Sequence, residues 1–253
     1  MDHLWLAWLL APIATTLIAG LKGAFGGGFA LLGIPLLALA MDPVEAGAML
    51  APLFLAMDVA AFRYWKPGTW SKPDLAVLLP GLAVGVVIGT AIVALLPRDG
   101  VALAMAVVTL AFAAKYFMGQ RAGQAPVAPR PRSARRGVLA GTASGITTML
   151  AHSGGPPLAM YLLPLQLPKA VYAGTTSIYF TVANLLKVGP WLMAAPPTPG
   201  TWLLMAACLP FVWLGVWGGW TLHQRLDQKR LYWWCHILLV ATGLKLLWDG
   251  LAG

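Results

Sequence analysis

The sequence predicts an all-α polytopic membrane protein of two inverted five-segment repeats, with about eight to ten transmembrane segments and a broken or re-entrant hairpin in each half. Three observations carry this. Hydrophobic residues make up 59% of the 253 positions and charged residues only 10%, far less charge than a soluble domain of this size carries. The apolar runs are too long and continuous for barrel strands, so helices must satisfy the backbone in lipid. The second half repeats the first: Gly20 to Pro35 aligns without a gap on Gly141 to Pro156, Ala46-Gly47 matches Ala173-Gly174, and Pro80 to Gly89 matches Pro210 to Gly219.

Polar stretches punctuate the apolar runs and define each element. They lie at Met41 to Glu45, Arg63 to Asp74, Pro97 to Gly100, Lys115 to Arg136, Gln166 to Lys169, Ala195 to Gly200 and His223 to Arg230. Between them the expected segments run 4–24, 28–41, 44–63, 74–96 and 101–119, then 137–150, 155–166, 170–193, 201–222 and 231–250. The first has no basic leader and no small-x-small cleavage site, so it reads as a retained helix. Segments 28–41, 137–150 and 155–166 have 12 to 14 residues. At about 1.5 Å per residue they fall short of a core about 30 Å thick. The first two segments of each half therefore read as a hairpin or broken helix with its tip inside the membrane, at Lys22 to Gly28 and at Thr147 to Gly155.

The proline-rich, basic stretch 120–136 reads as a flexible cytoplasmic linker between a first repeat, 1–119, and a second, 137–253. The net charge of +9 belongs to loops and gives no sign of a nucleic-acid partner. Alternate loops collect Arg63, Lys66, Lys72, Lys115, Arg121, Arg130, Arg132, Arg135, Arg136, Lys169, Arg225, Lys229 and Arg230, whereas the others hold only Arg98 beside Asp42, Glu45 and Asp99. The positive-inside rule then sets the basic loops in the cytoplasm and both termini outside. Tryptophans near the segment ends, among them Trp5, Trp8, Trp65, Trp70, Trp191, Trp202, Trp233, Trp234 and Trp248, read as interfacial anchors. Cys208 and Cys235 lie in apolar runs with neither metal spacing nor a reason to pair.

Irregular backbone survives in hydrocarbon only where protein or a water-filled cavity covers it, so two glycine-rich breaks in matching positions point to a central cavity. Half-helices beginning near Gly28 and Gly155 would aim amide donors and positive dipole ends into it, which suits an anion. Lys22 adds charge, and Ser144, Thr147, Thr148, His152 and Ser153 add donors; with Gly26, Gly27, Gly28, Gly154 and Gly155 these are the expected substrate site. Close helix packing is the alternative reading of the glycines, above all for Gly81, Gly85, Gly89, Gly215 and Gly219. Lys22 could instead snorkel to an interface, and His152 could be a satisfied polar residue. Asp58 is a carboxylate inside an apolar span and Lys187 lies at depth in the matching segment of the other half; they either pair structurally or Asp58 couples transport to protons. Thr175, Thr176, Tyr179 and Asn184, with Ser177, form a polar stripe that lines the path or bonds only to its own backbone. No nucleotide-binding loop, metal cluster or nucleophile triad is visible, so neither enzyme activity nor a cofactor is expected.

At these residues the chain resembles the TauE/SafE sulfite exporter family, also called the toluene sulfonate uptake permease family. The resemblance rests on Gly20, Gly23, Gly26, Gly27, Gly28 and Pro35, on Gly141, Gly145, His152, Gly154, Gly155, Pro156 and Pro157, and on Ala173 to Ser177. It covers nearly the whole chain and implies an inner-membrane secondary transporter of sulfite, organosulfonates or related sulfur or carboxylate oxyanions, working by alternating access. A small or hydroxyl residue is expected where Lys22 stands, so this chain is expected to favour a more strongly charged guest. A non-transporting membrane scaffold and a passive anion channel are the alternatives.

Overall fold

The computed structural model describes residues 4–28, 36–37, 39–41, 43–92, 98–121 and 129–252. Among them are nine α-helices and no strand: α1 Leu4–Phe25, α2 Pro43–Phe62, α3 Lys72–Ile92, α4 Arg98–Arg121, α5 Ala134–Ala151, α6 Gly155–Leu162, α7 Lys169–Ala194, α8 Pro199–Arg225 and α9 Gln228–Ala252. Each corresponds to an expected segment, with ends moved by at most four residues. Segment 28–41 falls largely outside the described residues, and with it Pro35 and the half-helix expected to start near Gly28.

Large apolar side chains face outward, and a set of charged and polar ones is buried within an otherwise apolar core, an arrangement that suits a bilayer. Leu9, Ile13, Leu17, Val84, Val87, Trp213 and Trp217 are exposed, whereas Lys22, Asp58, Asn184 and Lys187 are buried. Among the described residues, five helices contain stretches long and apolar enough to cross a membrane: Trp5–Phe25, Glu45–Phe62, Lys72–Ala91, Pro199–Arg225 and Gln228–Trp248. Helix α7 matches them in length at 26 residues, but turns a polar stripe inward from Thr175 to Lys187.

Glycines decide which helices meet. Gly81, Gly85 and Gly89 of α3 lie against Val138, Thr142, Gly145 and Ile146 of α5, and Gly215 and Gly219 of α8 lie against Thr16, Gly20 and Ala24 of α1. At Gly85 and Gly219 an added Cβ would strike the facing backbone carbonyl, of Thr142 and of Gly20. The packing reading of these glycines holds, and it extends to Gly20, Gly23, Gly141 and Gly145. Both pairs run parallel. Two antiparallel pairs complete the bundle: α2 with α7, through Gly47 against Trp191 and Asp58 against Thr181, and α4 with α9, through Tyr116 stacked on His236 and Leu110 against Gly243.

Four connections converge on one face. Arg132 Nε donates to the Asp74 carboxylate at 3.1 and 3.2 Å, and Tyr161 Oη donates to the same group at 3.0 Å. The Arg130 amide donates to the Pro164 carbonyl at 2.9 Å. Lys169 Nζ caps the end of α8 by donating to His223 O at 2.9 Å, and Tyr232 Oη donates to Leu167 O at 2.8 Å. The linker is therefore tied down along its second part, where a flexible connection was expected. Ser133 caps α5 by accepting from the Arg136 amide, which carries this helix into the basic stretch and lengthens it to 18 residues from the expected 14. Two expected interfacial anchors are also corrected: Trp65 and Trp191 are buried, edge-on to His223 and stacked on His152.

Candidate functional site

Helix α1 ends at Phe25 because Gly26, Gly27 and Gly28 follow with φ of +82°, +114° and +91°, a backbone that side-chain-bearing residues rarely adopt. The close quarters are equally specific to glycine. A Cβ on Gly26 would strike the Ala173 carbonyl, and one on Gly28 would come within 3.0 Å of the Phe180 ring. The second break begins at His152, itself left-handed at φ 49°, whose amide closes the end of α5 on the Thr147 and Thr148 carbonyls. Ser144 Oγ steadies the return by donating to Gly154 O at 2.7 Å, and α6 starts at Gly155. The two breaks touch: the Gly28 Cα lies 3.0 Å from where a Gly155 Cβ would be, and the Gly28 carbonyl closer still.

Between and beside them is a cavity that offers ≈ 30 Å³ to the centres of water-sized molecules, room for about two waters. Four elements supply its wall at helical spacing. Helix α1 gives Ile18, Leu21 and Lys22; α2 gives Phe54 and Met57; the end of α5 gives Thr148 and His152; and α7 gives Phe180, Asn184 and Lys187. Gly27 and Gly28 close it.

Two buried lysines dominate the electrostatics and are held differently. Lys22 is ion-paired with Asp58. The same carboxylate accepts from Asn184 Nδ2 at 2.8 Å and lies 2.9 Å from Thr181 Oγ1, whose one hydrogen is shared with Ser177 O at 3.0 Å. Asp58 therefore pairs with Lys22 and not with Lys187, which corrects the structural pairing that was one of its two expected roles. Lys22 does not snorkel; its side chain is 5% exposed. Lys187 Nζ has neutral company: His152 Nδ1 at 3.2 Å and the face of Phe54, 4.6 Å from the ring centroid. With Lys187 as an ammonium, which only donates, His152 Nδ1 accepts and the ring proton sits on Nε2, leaving the imidazole neutral. That ring stacks on Trp191 at 4.2 Å between centroids, in space left by Gly47, where a Cβ would lie 2.9 Å from Nε2. Among the described residues Nε2 has no hydrogen-bond partner, nor does Thr148 Oγ1, which lines the cavity.

Of the expected site residues, Lys22, Gly27, Gly28, Thr148, His152, Asn184 and Lys187 line the cavity, and Asp58 stands directly behind Lys22. Gly26, Gly154 and Gly155 shape the breaks. Ser144 is committed to Gly154, Thr147 to the Ala143 and Ser144 carbonyls, and Thr175 to the Ser71 amide at 2.8 Å. Tyr179 reaches toward Gly141 O at 3.5 Å; Ser153 and Thr176 are buried away from the lining. The expected turn of amide donors at Gly155 is thinner than supposed, since Pro156 and Pro157 carry no amide hydrogen and leave the amides of Gly154 and Gly155 with the dipole. Phe54, Met57, Phe180 and Thr181 were missed. Counting back one helical turn from Asp58 reaches Phe54, and two turns from Lys187 reaches Phe180; no such count reaches Met57 or Thr181.

The sequence profile described as Sulfite exporter TauE/SafE matches residues 12–246. No curated protein and no solved structure matches. The chain belongs to the TauE/SafE sulfite exporter family, a family of membrane transporters, and the match spans both chain breaks and all four walls of the cavity.

Proposed function

We propose that the chain is a secondary transporter that carries a small oxyanion, sulfite or an organosulfonate or short carboxylate, through this cavity by alternating access of its two halves. The observation that carries the reading is the charge of the site: Lys22 and Lys187 against the single carboxylate of Asp58, beside the apolar side chains of Ile18, Leu21, Phe54, Met57 and Phe180. Charge of one sign in a low-dielectric pocket attracts and concentrates the opposite sign. Lys187 offers three donors to one described acceptor, and Thr148 Oγ1 adds an unpartnered hydroxyl beside it. An oxyanion supplies the acceptors both lack.

The pairing of helices supports two halves related by inversion. Exchanging the halves turns the α1–α8 contact into the α5–α3 contact and leaves α2–α7 and α4–α9 as they were. Movement of one half against the other would open the touching breaks at Gly28 and Gly155 and expose the cavity to each side in turn. The face bearing Arg130, Arg132 and Lys169 is the cytoplasmic one in this reading, by its positive charge. The substrate gradient or a proton gradient would supply the energy.

The test is flux of labelled sulfite, methanesulfonate and acetate into liposomes holding the purified protein. Saturable uptake with counterflow supports alternating access. Unsaturable flux without counterflow favours a channel, and no flux of any of these anions, with the protein folded, favours a scaffold.

A further inference from the structure

Asp58 lies behind the cavity wall, yet its placement fixes the charge of the guest. Its two oxygens meet Lys22, Asn184 Nδ2 and Thr181 Oγ1, so the carboxylate sits in a complete cradle and cancels the charge of Lys22 within the protein. His152 is neutral by the proton count above. With Lys187 as an ammonium, it is then the one cation of the described lining whose described partners include no carboxylate, and the described lining together with Asp58 carries a formal charge of +1. A lysine at position 22 suggested from sequence a more strongly charged guest; its pairing with Asp58 reverses that expectation.

We infer that the site is matched to an anion of a single negative charge, and that Asp58 is the residue that sets this valence. This rests on the transporter reading above and sharpens it. The guest docks on the Lys187 side, against Lys187 Nζ and Thr148 Oγ1, while Lys22 remains with its internal counterion. A monoanion neutralises the pocket. A dianion of the same shape leaves a net −1 among Ile18, Leu21, Met57 and the two phenylalanines, where an uncompensated charge is far costlier than in water.

Methanesulfonate and sulfate test this, because they have nearly the same tetrahedral shape and differ by one charge. Dissociation constants come from ligand-dependent melting of the full-length protein in detergent. The wild type is expected to prefer methanesulfonate by about tenfold or more, and Asp58→Asn, which raises the site to +2, to shift the ratio toward sulfate by about tenfold or more. The double variant Lys22→Met with Asp58→Asn restores +1 and is expected to return the ratio to the methanesulfonate side, which also serves if Asp58→Asn alone does not fold. A wild-type preference for sulfate, or a ratio indifferent to both substitutions, overturns the inference. If neither anion shifts the wild type, the anion-transport reading falls along with it; if both bind and only the ratio fails to move, the valence assignment alone is wrong.

Discussion

Lys22 and Lys187 stand on the same cavity, both buried, and differ in what balances them. Lys22 meets a carboxylate that is itself held by Asn184 and Thr181. Lys187 meets an imidazole nitrogen and an aromatic face. The first arrangement is closed and structural: removing either partner strands a charge. The second is open, with donors to spare. Two residues of one type thus divide the work between holding the fold and receiving a guest, and the division is written in their partners rather than in their identity.

The comparison breaks most visibly at Asp58. Asp58→Ala leaves Lys22 buried without a counterion and is expected to destabilise the protein by about 3–5 kcal/mol, read as a fall in melting temperature in detergent. Lys187→Met leaves no such stranded charge and should melt at or above the wild-type temperature without ligand; an equal loss from both substitutions would erase the distinction drawn here. Gly26→Ala comes next, at about 3 kcal/mol, from a left-handed backbone and a collision with the Ala173 carbonyl. Asn184→Leu removes one charge-assisted bond to Asp58 and is expected to cost about 1.5–3 kcal/mol, with Lys187 partners unaffected. The smallest effect belongs to Arg132→Ala. Its side chain is 54% exposed, and the buried Asp74 keeps its bonds from Tyr161 and Ser71, so loss of the Arg132 bond should cost only about 1 kcal/mol, and a larger fall would show that the linker braces the bundle.

Much of this was legible in the sequence, for reasons that can be named. Apolar runs between charged stretches give helices from α2 onward because lipid forces the backbone into helix. The α5 start was missed because Arg135 and Arg136 look like linker, while the Ser133 cap lets them form its first turn. The breaks were legible through Gly26 to Gly28, whose positive φ favours glycine, and through Gly154-Gly155, where Ser144 and Gly28 leave no room for a Cβ. Which polar residue faces the cavity was not. Ser144, Thr147 and Thr175 look as suitable as Thr148, but their hydroxyls are taken by nearby backbone, a choice made by tertiary contacts. The partner of Asp58 was misjudged for the same reason, since pairing across helices depends on register that one sequence does not reveal. Trp191 looked like an interfacial anchor because it lies near a segment end, yet Gly47 opens an inner slot for it beside His152.

The most direct test of the open charge is tracer counterflow of methanesulfonate in liposomes carrying either the wild type or Lys187→Met, with folding of each checked by its melting curve. The account predicts saturable exchange by the wild type and none by a Lys187→Met protein that melts normally. Exchange by that variant at the wild-type rate and half-saturation would contradict it.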